Sequence, residues 1–228
     1  MSAMAVIFQP EAIHLFTDAA FYDPSTGVLT GAANKVWRVP GVDAVFSSRG
    51  VRAAFPFFLE LCAARNVHSF DELKACLPSV FLELDEWLAG YTGEILIAGW
   101  SESALRAEVL FRANHCDYAD LGLEAGKIYR WTEGRLAFGF DAALLPAPAD
   151  FTIERVISAF ETGRRELLDL SCGEASEPIM AHAIGGFIQH AIIGPNDMSS
   201  QTVHQWDDLI GSPIMPVMSE PVPVGAAA

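Results

Sequence analysis

The chain has 228 residues, room for one large domain or two small ones, and 51% of them are hydrophobic, which excludes disorder of the whole chain. Fourteen basic residues against twenty-nine acidic ones leave a formal charge of -15, a surface that repels phosphate, so neither nucleic acid nor membrane is expected as a partner. Apolar runs stay below the roughly 18 residues that a membrane span needs, and the first residues lack a basic leader, so a cytoplasmic location is expected.

Residues 3–8 and 12–17 are two apolar stretches around Gln9-Pro10-Glu11, which predicts a β-hairpin. Residues 21–31 are rich in turn formers and read as a loop with at most a short edge strand. The alternating stretch 35–39 turns at Pro40-Gly41 and pairs with residues 43–47. From Gly50 the period becomes helical: Val51, Ala54, Phe55, Phe58, Leu59 and Cys62 define one helix, with Pro56 in its first turn. A second begins at the capping box Ser69-Phe70-Asp71-Glu72 and carries Leu73, Leu77, Phe81, Leu84 and Leu88 on one face, with Pro78 expected to kink or divide it.

Strand character returns at residues 94–99 and 108–113, and again at 127–131 and 135–140, which read as a further hairpin across Thr132-Glu133-Gly134. Ile153, Val156, Ile157, Phe160, Arg164, Leu167 and Leu168 mark a third helical region. A strand at 184–193 and a weaker one at 202–206 follow, and residues 212–228 read as an irregular tail on the surface or against a neighbouring subunit. This order excludes a regular βαβ repeat and favours two antiparallel sheets with helices on their outer faces.

Familiar nucleotide, serine-hydrolase and metalloprotease motifs are absent, and the six histidines are scattered. His115-Cys116-Asp117 is the densest ligand-like group, but three consecutive side chains converge poorly on one metal. His182 and His190 bracket the late strand and are weighed for a shared role. Cys62, Cys76, Cys116 and Cys172 have no CxxC spacing and read as small buried hydrophobes. No cofactor is expected.

The N-terminus is more informative. Met1 precedes a small residue and is expected to be trimmed, leaving on Ser2 both a hydroxyl and an α-amine whose ordinary pKa is ~7.7–8.0. Such an amine can act as general base for its own hydroxyl. Asp18 ends the second strand 16 residues on, Asn34-Lys35-Val36 follows a variable loop, and Ser47-Ser48-Arg49-Gly50 turns into a helix. In these segments the chain resembles the proteasome β-subunit family of N-terminal-nucleophile hydrolases, including its bacterial relatives. Looser likeness continues through Glu94-Ile95-Leu96-Ile97-Ala98-Gly99-Trp100 and through the glycine pair Gly185-Gly186 ahead of the late strand.

The resemblance implies a four-layer αββα sandwich of the α+β class over residues 1–211, with 212–228 as the tail. It also implies roles: Ser2 as nucleophile, Lys35 as the charge that tunes and relays its proton, Asp18 as the partner of Lys35, and the Gly50 N–H as oxyanion donor. Three features depart from the family pattern. Serine replaces threonine, Gly139-Phe140-Asp141 stands where a supporting serine is expected, and Ala181-His182-Ala183 stands where an aspartate precedes the glycine pair. Two functions are therefore carried forward: hydrolysis of a peptide or amide bond, and a noncatalytic assembly subunit of the same fold. Both predict a homo-oligomer packed through the two central helices.

Overall fold

The computed structural model describes residues 2–50, 52–90, 92–115, 118–170, 178–195 and 197–217. Strand β1 (Met4–Phe8) turns at Gln9 into β2 (Ile13–Asp18), as the sequence predicts. Residues 21–31, expected to be mostly loop, instead form a ribbon of β3 (Ala20–Tyr22) and β4 (Leu29–Ala32), closed by a turn in which the Asp23 carboxylate accepts from the Ser25 N–H and hydroxyl. Next come β5 (Val36–Arg38), β6 (Ala44–Arg49), α1 (Ala54–Ala64) and α2 (Phe70–Trp87).

The Ser69 hydroxyl caps α2 by accepting from Glu72 N at 3.1 Å, while the Glu72 carboxylate reaches back to His68 N at 2.8 Å. Contrary to expectation, Pro78 does not divide this helix. Leu73, Leu77, Val80, Phe81 and Leu84 are all buried along one side of the continuous helix, with Pro78 on the exposed side.

β7 (Glu94–Ser101) and β8 (Arg106–Ala113) form a full antiparallel pair, followed by β9 (Tyr129–Trp131) and β10 (Arg135–Phe138). The hairpin expected of these last two is corrected: β9 pairs with β8, whereas β10 pairs with β1 in another sheet. The link between them crosses from sheet to sheet, with the Gly134 carbonyl accepting from Phe8 N at 3.1 Å. α3 (Ile153–Arg164) ends before Leu168, which enters the short pair β11 (Leu168–Asp169) and β12 (Met180–Ala181). β13 (Phe187–Ile193) and β14 (Met198–Gln205) complete the chain of strands.

The two larger sheets run β10-β1-β2-β13-β14 and β5-β6-β7-β8-β9, and every pairing is antiparallel. Strand alternation sends Met4, Val6, Ile13 and Leu15 into one buried cluster with Val45, Leu96, Val109 and Phe111 of the other sheet. The opposite faces bury different partners. Phe46, Ile95 and Ile97 pack with Phe58, Phe70, Leu77 and Phe81 of α1 and α2, and Ala5, Ile7, Phe16 and Ile188 pack with Val156 and Phe160 of α3. The expected α+β class is present.

The start of the tail does not wander. Leu29 N donates to Ser212 O at 2.9 Å, Pro213 bridges Val28, and Ile214 is buried with Ala20 and Leu29. Residues beyond 217, and Cys116-Asp117 of the candidate ligand cluster, lie outside the described residues. Among the described residues no helix is long and apolar enough to cross a membrane, and no group of three or more metal-ligating side chains occurs.

Candidate active site

Ser2 stands just ahead of β1, Asp18 at the end of the neighbouring β2, and Lys35 just before β5 in the facing sheet. Antiparallel pairing of β1 with β2 brings Ser2 and Asp18 to the same end of the sheet, and Asp18 N donates to Ala3 O at 3.1 Å. Lys35 is 3% exposed and points its amine at both: Nζ lies 2.6 Å from Ser2 Oγ, 3.0 Å from Asp18 Oδ1 and 2.6 Å from Ala20 O. Ser2 is itself 7% exposed.

Asp18 is fully buried, and among the described residues its carboxylate hydrogen-bonds to donors on both oxygens. Oδ1 accepts from Ala3 N at 2.9 Å and from Lys35, while Oδ2 accepts from Ala20 N at 3.1 Å and Gly185 N at 3.3 Å. Both carboxylate oxygens are thus hydrogen-bonded by N–H donors, and Oδ1 faces the Lys35 amine. Burial pushes Lys35 below the usual lysine range; Asp18 opposes that shift, and the neighbouring Arg49 guanidinium adds to it. A neutral Lys35 has two N–H donors for Asp18 and Ala20 O, and its lone pair then faces the Ser2 hydroxyl. That is the geometry of a general base.

Gly50 stands apart from the hydrogen bonds that join these three. Its φ is +91°, and a Cβ there would come within 2.5 Å of the Thr92 carbonyl oxygen, so the backbone passes close against the turn before β7. Gly139 makes a similar approach at Ser2: with φ +90°, a Cβ would lie 2.2 Å from the Ser2 carbonyl oxygen. Only glycine lets the chain after β10 return over the backbone of Ser2.

Other contributors carried little sequence signal. Gln189, 3% exposed on β13, accepts from the amides of Lys35 and Val36. Its one local clue is being polar within the apolar run Phe-Ile-Gln-His-Ala-Ile-Ile. Asp208 accepts from Gly186 N at 2.7 Å and pairs with Arg164, whose Nη1 also donates to Ile184 O at 2.7 Å. Together they clamp the backbone on both sides of Gly185, whose N–H serves Asp18. Arg49 is paired with Glu94 at 2.6 Å and with the Tyr118 hydroxyl at 2.6 Å. Burial opposes charge on Glu94, yet Arg49 and His115 beside it bring its carboxyl below the usual range.

Beside Lys35 opens a concavity of about 710 Å³ lined by Phe21, Ala33, Asn34, Trp37, Arg52, Ala53, Phe55 and Pro56. Phe21 joins it to the site, since both the Lys35 amine and the Arg52 guanidinium lie 5.1 Å from its ring centroid. The shared role weighed for His182 and His190 does not hold. His190 pairs with His14 at 2.9 Å, whereas His182 Nδ1 lies 3.1 Å from Glu166 O.

Two antiparallel sheets thus pack face to face, with Ser2 beside the buried Lys35–Asp18 pair. Among solved structures the chain resembles Anbu (ancestral beta-subunit) from Yersinia bercovieri, with a TM-score of 0.56 and 10% identity over 89% of this chain and 87% of that one. It also resembles an Anbu (Gly-1) mutant from Hyphomicrobium sp. strain MC1, with a TM-score of 0.60 and 11% identity over 91% and 89% of the two chains. No family model and no curated protein matches the sequence. The expected membership of the proteasome β-subunit family is corrected accordingly: the likeness is to ancestral beta-subunit structures, at an identity that carries the fold alone.

Proposed function

We propose that the chain is an N-terminal-nucleophile hydrolase with a four-layer αββα sandwich, in which Ser2, freed by removal of Met1, cleaves a peptide or amide bond. The observation that carries this reading is the Lys35 amine, 2.6 Å from Ser2 Oγ and 3.0 Å from Asp18 Oδ1 in a buried setting. Lys35 takes the hydroxyl proton as Ser2 Oγ attacks the carbonyl carbon, and Asp18 stabilises the ammonium that forms. The Gly50 N–H serves as a donor to the developing oxyanion. Collapse expels the leaving amine, which takes the proton from the Lys35 ammonium, and leaves an ester on Ser2; water that gives its proton to the Lys35 amine or to the Ser2 α-amine then attacks that ester, releasing the acid as the proton returns to Ser2 Oγ.

The adjoining concavity, with Phe21, Trp37 and Phe55 on its walls, suits a large apolar substrate side chain. Two measurements test the reading together. Intact mass is expected to correspond to the chain without Met1, and a β-lactone probe is expected to add its mass to Ser2 but not to a Ser2→Ala variant. Retained Met1 in normally processed protein, or labelling that persists in Ser2→Ala, would sink it.

A noncatalytic assembly role is favoured by a different observation. Leu82 and Trp87 of α2 are 64% and 45% exposed, on the helix expected to meet a neighbouring subunit. In both readings the protein forms a homo-oligomer. Light scattering at ~0.15 M salt is expected to give at least twice the 24.7 kDa chain mass across a tenfold dilution. A steady monomer mass excludes it.

A further inference from the structure

We propose that Gln189 is a positioning residue for Lys35, and that Ser200 on the edge strand β14 fixes the way its carboxamide faces. This inference rests on the hydrolase reading above for its catalytic meaning, though its geometry stands independently. Lys35 lies in the connection between the β3–β4 ribbon and β5, so no helix and no strand ladder sets the direction of its backbone. What sets it is a side chain 154 residues away. Gln189 Oε1 accepts from Lys35 N at 2.9 Å and from Val36 N at 3.1 Å, and Nε2 donates to Val36 O at 3.3 Å.

The fourth contact of this carboxamide is Nε2 to Ser200 Oγ at 2.9 Å. Both lone pairs of the oxygen and both hydrogens of the nitrogen are therefore used. Turning the amide over would set its NH2 against two N–H donors, so the orientation is determined by its partners. Gln189 sits on the face of β13 that looks into the space between the sheets, with Ala191 and Ile193 behind it. Opposite it, β14 changes register between Ile188 and Gln189, with Gln189 facing Thr202 and Ser200 facing Ala191. One carboxamide thus ties an outer strand of one sheet to the first residues of the other, directly at the residue whose amine faces Ser2.

The chain has three lysines, Lys35, Lys74 and Lys127, so protein labelled with 13C at lysine Cε gives a spectrum of three titrating signals, assigned by loss of one in Lys35→Met. Asp18 on β2 and Arg49 on β6 act on Lys35, the Ser2 α-amine joins them once Met1 is removed, and none of these groups is altered in the Gln189 and Ser200 variants. In Gln189→Met the Lys35 titration is expected to move up towards that of exposed Lys127, with amide exchange at Lys35 and Val36 faster by about tenfold or more. Gln189→Glu keeps the two acceptor bonds, so it should restore amide protection while its charge raises the titration further. Ser200→Ala, a change at the surface, should fall between wild type and Gln189→Met, and together with Gln189→Glu it decides the matter if Gln189→Met does not fold.

Hydrolysis of p-nitrophenyl acetate by Gln189→Met is expected to lose about 100-fold in kcat with KM little changed, because a misplaced base fails in the chemical step. Wild-type titration and wild-type amide protection in both Gln189→Met and Ser200→Ala would overturn the proposal. Should the Lys35 signals respond as expected while the wild type hydrolyses nothing, the hydrolase reading falls and the hold of Gln189 on Lys35 stands.

Discussion

Replacing Asp18 with alanine is expected to cost about 3–5 kcal/mol of stability, the range for removing one member of a buried, hydrogen-bonded ion pair. The variant leaves the buried Lys35 amine without its carboxylate and strips the N–H groups of Ala3, Ala20 and Gly185 of their acceptor. Lys35→Ala has the opposite balance. Asp18 keeps its three backbone donors, so the fold should survive, while hydrolysis at Ser2 falls by about 100- to 10,000-fold with loss of the base. Urea melts of both variants, with turnover of the same ester probe, separate the two effects. Equal turnover by wild type and Lys35→Ala would place any hydrolysis elsewhere, and an Asp18→Ala variant as stable as wild type would contradict the buried pair.

Acid is expected to destabilise the protein through His190. Its ring is 1% exposed, stacked on Phe16 with centroids 4.2 Å apart, and its Nε2 lies 2.9 Å from His14 Nδ1. Burial, with His14 beside it, pushes His190 down to about 4, and burial lowers His14 as well, with Glu11 opposing. In the unfolded chain both rings titrate near their ordinary value of ~6.5. Between that pH and about 4, the unfolded chain binds a proton that the folded His190 refuses, so stability is complete above the unfolded value and falls as pH drops through this window.

After allowance for solvent screening the loss from His190 is roughly 2 kcal/mol. His190→Phe keeps the ring stacked on Phe16 and removes the titration. Denaturant melts at pH 7 and pH 4.5 should show wild type losing more than the variant by about that amount. The same loss in both proteins would show that His190 takes no part in the acid response.

The relation between sequence and structure differs from one feature to the next. Alternation and turn residues were enough for the β1–β2 pair, the β5–β6 and β7–β8 pairs and the extents of α1 and α2, because strand and helix periods are written in neighbouring residues. The association of Ser2 with Asp18 was legible for a related reason. A hairpin with a tight turn brings its two ends together, and both residues lie at the same end. Lys35 was legible only through likeness to a motif, since nothing in its own segment requires its amine to turn towards Ser2.

Tertiary structure decided the rest. A period of two says that 127–131 and 135–140 are strands, but it does not say which sheet edge each will join; the free edges of β8 and β1 settled that. Pro78 breaks a local rule, and the buried face of α2 overrides it. Gln189 reaches Lys35 across 154 positions and His14 meets His190 across 176, separations that no local pattern encodes. Sequence by itself determined the strand and helix periods and the net acidic charge, and it singled out Ser2, Asp18 and Lys35 as candidates. Which side chains hold Lys35 in place, which histidines touch, and where the chain crosses between sheets were decided by packing, because those contacts exist only once the two sheets have closed on each other.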